Sequence, residues 1–249
     1  MNRPRITLHI YSSIDGRITG PFSEFPKSKK AAEYFESIGF KEDRDESYHF
    51  QGWIYGTETG KEFTEHRKLQ LNDLSEEIPS GDFIINQGKE KYYISFDRHG
   101  KLAWDKNVTS YADIEAHVIE VLTDQASDQY KAYLRKLSIP YIIAGKNEID
   151  IPLVLSKLKI EYGLGNLLLG GGGVLNWSFI SEGFCDEISL IVAPSIDGKT
   201  DSARLFNSRF NNNPQTIGFK LKSVEVFEED ILWIKYAVEH SQAVYNKNK

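Results

Sequence analysis

Cysteine is almost missing from this chain. Cys185 stands alone among 249 residues, which excludes an internal disulfide framework and a thiolate metal cluster. A zinc deaminase centre of the Cys-x-x-Cys type is excluded for the same reason. No run of about 18 apolar residues occurs, so nothing reads as a membrane span. Basic excess is missing too: 30 Lys and Arg against 36 Asp and Glu give a net charge of −6. A broad duplex-binding face is therefore not expected, and no nucleic-acid partner. The six histidines show no His-Glu-x-x-His spacing, so no metal is expected. There is no Gly-x-Ser-x-Gly nucleophile elbow. The opening residues Met1 to Arg5 lead into an alternating segment rather than a signal-peptide core. A cytoplasmic protein is the expectation, with Cys185 serving packing rather than nucleophilic attack.

What is present is a globular balance, 40% hydrophobic and 27% charged, enough apolar material to offset ordering entropy. Ile6, Leu8 and Ile10 alternate with Thr7, His9 and Tyr11, which predicts a strand. The Asp15-Gly16 pair closes it with a tight turn. Ser28 is expected to cap a helix carrying Ala31, Tyr34, Phe35 and Ile38, with Gly39 as its stop. Trp53, Ile54 and Tyr55 read as a short buried strand, and residues 60–80 as a polar loop with room for a helical turn. Residues 83–85, 92–96 and 117–122 read as strands, with a helical reading from Ser110 competing for the last. Ser127 caps a helix with Tyr130, Tyr133, Leu134 and Leu137 on one face. Residues 141–144 follow as a buried strand, then a helix with Pro152 in its first turn and Gly163 at its end. Residues 167–169 form a strand, 174–182 a helix and 188–192 a strand. Two alternating runs, 219–227 and 231–238, make a hairpin around residues 228–230. Strands alternating with helices from 117 to 193 predict an α/β fold, its parallel sheet flanked by helices on both faces. The hairpin adds antiparallel strands and makes the sheet mixed. No Pro/Ser-rich linker divides the chain.

The sharpest chemical feature is a buried strand running into Gly170, Gly171, Gly172 and Gly173, then into a helix through Val174 and Leu175. Glycines let a ligand reach the backbone, and a helix N-terminus offers free N–H donors and partial positive charge. Together they suit a pyrophosphate. The spacing is neither Gly-x-Gly-x-x-Gly nor a P-loop, and a tight strand-to-helix connection is the bland alternative. Gly56 to Gly60 offers a second turn with the hydroxyls of Thr57 and Thr59, for which a capped turn is at least as good a reading. Arg98, in the turn Asp97 to Gly100, has the fork geometry for an adenosine 2′-phosphate, although an exposed turn arginine is commoner. Asp15 is the candidate proton donor, against the usual role of a turn-closing aspartate. Arg67 and Lys68, beside His66, are candidates for gripping an anionic substrate, against a solvated loop.

Three blocks taken together resemble the riboflavin-pathway pyrimidine reductases, the reductase half of the bifunctional deaminase-reductase. They are Arg3 through Arg17, Gly56-x-x-Thr59, and Gly171 to Gly173 followed by Leu175, the run Phe184 to Glu187, Pro194 and Gly198. The resemblance covers roughly residues 3 to 239 and leaves no room for a deaminase domain. It implies one reductase domain over 1–249, with a core of about 3–239 and a tail of 240–249. It further implies a dihydrofolate-reductase-like fold, NADPH as hydride donor and a homodimer. Carried over by position, cofactor contacts fall on Tyr11, Gly56, Thr59, Arg98 and the stretch from Gly171 through Val174 and Leu175 to Ser178. Asp186 and Glu187 are expected to be structural. Gly170 stands where the family often has a substrate-contacting glutamate. The arginines that grip the ribose phosphate are missing at the matching places, near Ser47 and Gln70, with Arg44, Arg67 and Lys68 as displaced candidates.

The expected function is NADPH-dependent hydride transfer to a heterocyclic or ribosylamino small molecule. A pterin or dihydrofolate-type or xenobiotic reductase is the main variant. A dinucleotide-binding protein without catalysis, or an interaction module using sheet edges, are the readings from other classes.

Overall fold

A computed structural model describes residues 2–71, 73, 77–85, 88, 90–208 and 216–238. The expected tail 240–249 lies outside them. Among the described residues ten strands build one sheet: β1 (Arg5–Ser12), β2 (Gly52–Gly56), β3 (Tyr92–Phe96), β4 (Val108–Tyr111), β5 (Ile114–Leu122), β6 (Tyr141–Ile143), β7 (Asn166–Gly171), β8 (Glu187–Val192), β9 (Phe219–Phe227) and β10 (Ile231–Val238). Their order across the sheet is β4-β5-β3-β2-β7-β1-β8-β10-β9, with β6 beside β5. The inner pairs are parallel, and β10 lies antiparallel to both β8 and β9. The mixed, mostly parallel α/β sheet with its C-terminal hairpin is as the sequence implied.

Alternation along the strands feeds two cores. Ile6, Leu8, Ile54, Ile94 and Leu169 face one side, under α4 (Ile151–Tyr162) and α5 (Gly173–Ser181). Trp53, Tyr55, Tyr93, Leu168 and Trp233 face the other, against Ala31 and Phe35 of α1 (Pro26–Glu36) and Tyr130 and Leu134 of α3 (Asp128–Lys136). Local signals set several helix ends. Ser127 accepts from the Tyr130 N–H at 3.2 Å, and Asp150 from the Leu153 N–H at 2.9 Å. Gly163 ends α4 in the left-handed region.

Four expectations need correcting. Ser28 does not cap α1: Pro26 occupies the first turn, and the Ser28 hydroxyl instead meets that of Ser195 at 2.8 Å. Gly39 does not stop the helix, because a π turn continues through Ser37–Lys41 to a left-handed Glu42. Residues 83–85 form a single bridge, Phe83 with Tyr141, rather than a strand. The Gly56–Gly60 turn is instead the start of a short helix, α2 (Thr57–Phe63), which runs into the helical turn allowed for in the 60–80 loop. The competing helix from Ser110 is absent: Val108–Tyr111 and Ile114–Leu122 pair antiparallel around Ala112 and Asp113, both at positive φ.

His9 illustrates how the core disposes of polarity. It is fully buried, its Nδ1 2.9 Å from the Ser189 hydroxyl and its Nε2 3.0 Å from the Phe35 carbonyl. Ser189 also accepts from the Trp233 indole N–H at 2.8 Å. The ring therefore carries its proton on Nε2 and donates to Phe35. Burial lowers its pKa to about 4, so it is a neutral core group. Cys185 is buried as well, its thiol pushed up to about 12 by desolvation.

Candidate active site

In a parallel sheet, ligands gather outside the carboxyl ends of the strands. Here those ends are Ser12 of β1, Gly56 of β2, Phe96 of β3 and Gly171 of β7. Pairing of Gly56 with Phe96 and of Tyr55 with Gly171 sets three of them level. The segments singled out in the sequence as separate blocks thus meet on one edge.

The glycine run is the centre. β7 extends through Gly171, farther than the 167–169 strand expected, and Gly171 sits at φ +108, open to glycine without strain. The Gly171–Gly172 peptide is cis. A Cβ added at Gly172 would meet nothing within 4 Å, so the backbone there is approachable from outside. α5 then begins with no side chain capping it, which leaves its first N–H groups available to an anion. Behind it the Asn207 N–H donates to the Gly173 carbonyl at 3.0 Å, and Asn176 Nδ2 to the Leu205 carbonyl at 3.0 Å.

The other blocks close around this turn. Gly56 is the N-cap of α2, and a Cβ placed there would lie 3.8 Å from Leu175 of α5. Thr57 joins α2 to the end of β3, its hydroxyl 3.2 Å from the Phe96 carbonyl and 3.3 Å from Asp97 Oδ1. Asp97 is buried, accepts from the Lys101 and Leu102 N–H groups, and anchors the turn carrying Arg98. Burial raises its pKa, against the pull of those donors. Arg98 is 40% exposed and pairs with Glu148, with Nε 3.0 Å from His99 Nε2. Thr59 lies half-buried in the first turn of α2. Tyr11 lies next to last in β1, its ring against Phe22 and Phe35 at 5.7 Å each.

Three candidates stand elsewhere or serve otherwise. Asp15 closes the turn after β1: Ser13 donates to it at 2.6 Å, the Asp197 N–H at 3.0 Å and the Gly198 N–H at 3.3 Å. The Ser13 bond first, then those N–H groups, lower its pKa to about 2. An ionised acceptor of that kind holds the turn and carries no proton to give at neutral pH. Arg67 is committed to Asp105 at 2.9 Å and Glu65 at 3.3 Å, and Lys68 is exposed beyond it. The reasoning from sequence missed Tyr55 and Asp97. The signals were present: Asp97 directly precedes Arg98, and the strand period puts Tyr55 on the same face as Trp53.

The RibD C-terminal domain family matches this sequence over residues 92–233. The chain belongs to that family. It is 29% identical over 126 residues to the 2,5-diamino-6-ribosylamino-4(3H)-pyrimidinone 5′-phosphate reductase of Methanothermobacter thermautotrophicus, spanning 50% of this chain and 57% of that protein. It is 24% identical over 198 residues to the protein of the same name from Aquifex aeolicus, 80% of each chain. Among solved structures, a pyrimidine reductase-like protein from Corynebacterium diphtheriae superposes with a TM-score of 0.63 at 15% identity, over 95% of this chain and 92% of that one. That likeness shows the fold. No helix among the described residues is long and apolar enough to cross a membrane.

Proposed function

We propose that this RibD C-terminal domain family member is an NADPH-dependent oxidoreductase of the riboflavin-pathway kind, passing hydride to a heterocyclic or ribosylamino substrate. The observation that carries the reading is the 170–175 turn. It offers open space beside Gly172 and uncapped N–H groups at the start of α5, with the ends of β2 and β3 alongside. These features fit a dinucleotide. Gly172, Gly173, Val174 and Leu175 would hold the pyrophosphate through backbone N–H groups. Arg98 would exchange its exposed Glu148 partner for the 2′-phosphate. Tyr11, Gly56 and Thr59 would line the remainder. When bound, the nicotinamide supplies the hydride; the protein contributes orientation and exclusion of water. The names of the two reductase relatives support a ribosylaminopyrimidine as substrate.

A homodimer belongs to the same reading. The edge strand β9 exposes Leu221 (53%), Val224 (50%) and Val226 (72%). Val224 pairs with Ile234 and Val226 with Leu232, and these in turn with Leu190 and Val192 of β8. One apolar sheet face therefore continues beyond the helices, and a second copy packed face to face by a two-fold axis would cover it.

Titration with NADPH and with NADH, followed by tryptophan fluorescence, tests the cofactor. Trp177 lies in α5, directly behind the glycine turn. Quenching by NADPH is expected, about tenfold weaker for Arg98→Ala and lost for Gly172→Phe. Absence of binding by either nucleotide overturns the reading.

A further inference from the structure

Residues 195–207 follow β8 as a strap that joins the turn after β1 to the glycine turn. The Ile14 N–H donates to the Ser195 carbonyl at 2.8 Å, and the Ile18 N–H to the Ala203 carbonyl at 2.9 Å. The Leu205 N–H returns a bond to the Gly16 carbonyl at 2.9 Å. The strap then reaches α5, where the Asn207 N–H meets the Gly173 carbonyl and the Leu205 carbonyl accepts from Asn176. The approach is close: a Cβ added at Gly173 would lie 2.2 Å from the Arg204 carbonyl oxygen. Glycine at 173 is what lets the strap lie against the turn.

Arg17 and Arg204 face each other across an antiparallel bridge. Residues so paired project to the same side, and like charges directly opposite repel. Arg17 is compensated. Its Nη1 donates to the Ser202 carbonyl at 2.8 Å, and its Nε lies 3.7 Å from Asp15 Oδ2. Arg204 is exposed and has no ion pair, hydrogen bond or ring contact among the described residues. The carboxylates of the strap are taken: Asp197 accepts from the Ser202 hydroxyl at 2.6 Å and the Phe22 N–H at 3.1 Å, and Asp201 pairs with Lys199 at 3.4 Å. Arg67 is held by Asp105, and Arg44 pairs with Glu46 at 3.8 Å and lies over the rings of Tyr34 and Phe227. An unpaired guanidinium opposite a second one, beside the uncapped start of α5, is placed to receive an anion.

The order of the strands says which anion. β3, with Arg98 just past its end, lies two strands from β7 on one side, and β1, which leads to Arg17, lies next to β7 on the other. Neighbouring strands are about 4.8 Å apart. A dinucleotide laid from Arg98 across β2 to the glycine turn has its 2′-phosphate and its pyrophosphate placed before it reaches β1. Beyond the turn only its nicotinamide riboside remains, which brings no further anion. An anion at Arg204 therefore belongs to the molecule that the nicotinamide faces.

We propose that Arg204, backed by Arg17, receives the phosphate monoester of the hydride acceptor, given the reading of residues 170–175 as the pyrophosphate turn. It takes the place of the arginines missing near Ser47 and Gln70. A phosphate offers the oxygens that a guanidinium fork matches bidentately, and its charge relieves the repulsion between the two cations. Arg204 is thus a specificity residue, which selects the phosphorylated acceptor and takes no part in the transfer of hydride.

The test is calorimetric titration of the protein in the presence of NADP+ with 2,5-diamino-6-ribosylamino-4(3H)-pyrimidinone 5′-phosphate, and separately with the same compound lacking its phosphate. Wild type is expected to bind the phosphate at least tenfold tighter. Arg204→Ala should lose that preference, with the unphosphorylated compound bound within twofold of wild type, and Arg204→Lys should recover only part of it. Both variants should keep the NADPH dissociation constant, read by fluorescence, within twofold. Arg204→Ala should also melt no lower than wild type, since the side chain holds nothing in the free protein. Equal weakening of the two compounds, phosphate binding by Arg204→Ala as in wild type, or no binding of either compound by wild type overturns the proposal. Loss of NADPH affinity in Arg204→Ala overturns it as well, by giving the guanidinium to the pyrophosphate. Failure of the cofactor reading itself registers as absent NADPH quenching in wild type, apart from the two pyrimidine titrations.

Discussion

The two ends of the parallel strands use similar side chains to opposite effect. At the amino-terminal end, carboxylates and cations are committed to one another. Arg3 forks onto Asp186 at 2.7 and 2.8 Å, and the Ile6 N–H donates to the same carboxylate at 2.8 Å. Glu187, 3% exposed, receives Arg5 at 2.7 Å, Tyr48 at 2.6 Å and Lys222. At the carboxyl-terminal end, the Tyr55 hydroxyl and the first turn of α5 have no such partners. Satisfied polar groups stabilise a fold, and unsatisfied ones near open space are available to a ligand. The expectation that Asp186 and Glu187 are structural agrees with this pairing, and the functional candidates fall at the opposite end.

The largest way to break the contrast is at Asp186. Removing it leaves the Arg3 guanidinium, with 16% of its side chain exposed, without its partner. Asp186→Ala is expected to cost about 3 kcal/mol, or roughly 8 °C in melting temperature for a chain of this size. Differential scanning calorimetry reads it, and NADPH affinity of the folded fraction should be unchanged. Burial alone would raise both carboxyls; the Arg3 bonds at Asp186 and the Lys222 and Tyr48 bonds at Glu187 overcome it and hold each below its ordinary value of 3.8 or 4.5. Their stability is therefore complete above those values and is lost as pH falls through the folded ones. Asp186→Ala should flatten that acid limb.

Next in size is Glu120, which sits between the two ends and has the opposite sign. It is fully buried on β5, and the Trp104 indole N–H donates to its Oε1. Burial, reinforced by Asp97, raises its pKa well above 4.5. Over that interval the folded protein holds a proton that the unfolded chain has released, so stability falls as pH rises, by about 1.4 kcal/mol per pH unit. Glu120→Gln keeps the acceptor for Trp104 and removes this slope. Urea unfolding at pH 5 and pH 8 should show the variant gaining on wild type at pH 8. An unchanged slope would mean that Asp97 alone holds the proton.

Much of the fold was written locally. Ser127, Pro152 and Gly163 act within a turn of their own helices, and period-two alternation marks β1, β9 and β10 before any partner is known. The failures were non-local. Ser28 has the chemistry of a cap, but its hydroxyl is taken by Ser195, 167 residues away. α2 carries no apolar stripe in Thr57–Phe63 and exists because it packs on β2 and β3. The site divides in the same way. Gly171 to Gly173, Gly56 and Arg98 were each visible as residues with an unusual local purpose. That Thr57 fastens Asp97, or that Tyr55 lies over Gly170, follows only from strand order and from the register of Tyr55 with Gly171.

The smallest effects give the sharpest contrast, because one substitution can be made at both ends. Tyr48 and Tyr55 each lose one oxygen on mutation to Phe. At Tyr48 that oxygen donates to a nearly buried carboxylate, which burial would otherwise make costly. Its removal takes away one charge-assisted hydrogen bond and is expected to cost about 1.5–2 kcal/mol of stability, with no change in ligand affinity. At Tyr55 the oxygen bonds nothing among the described residues, so Tyr55→Phe is expected to change stability by less than about 0.5 kcal/mol, or to increase it slightly. Equal stability losses for the two variants would mean that the Tyr55 hydroxyl is already satisfied in the free protein, and the division of the strand ends into a committed and an available set would fail.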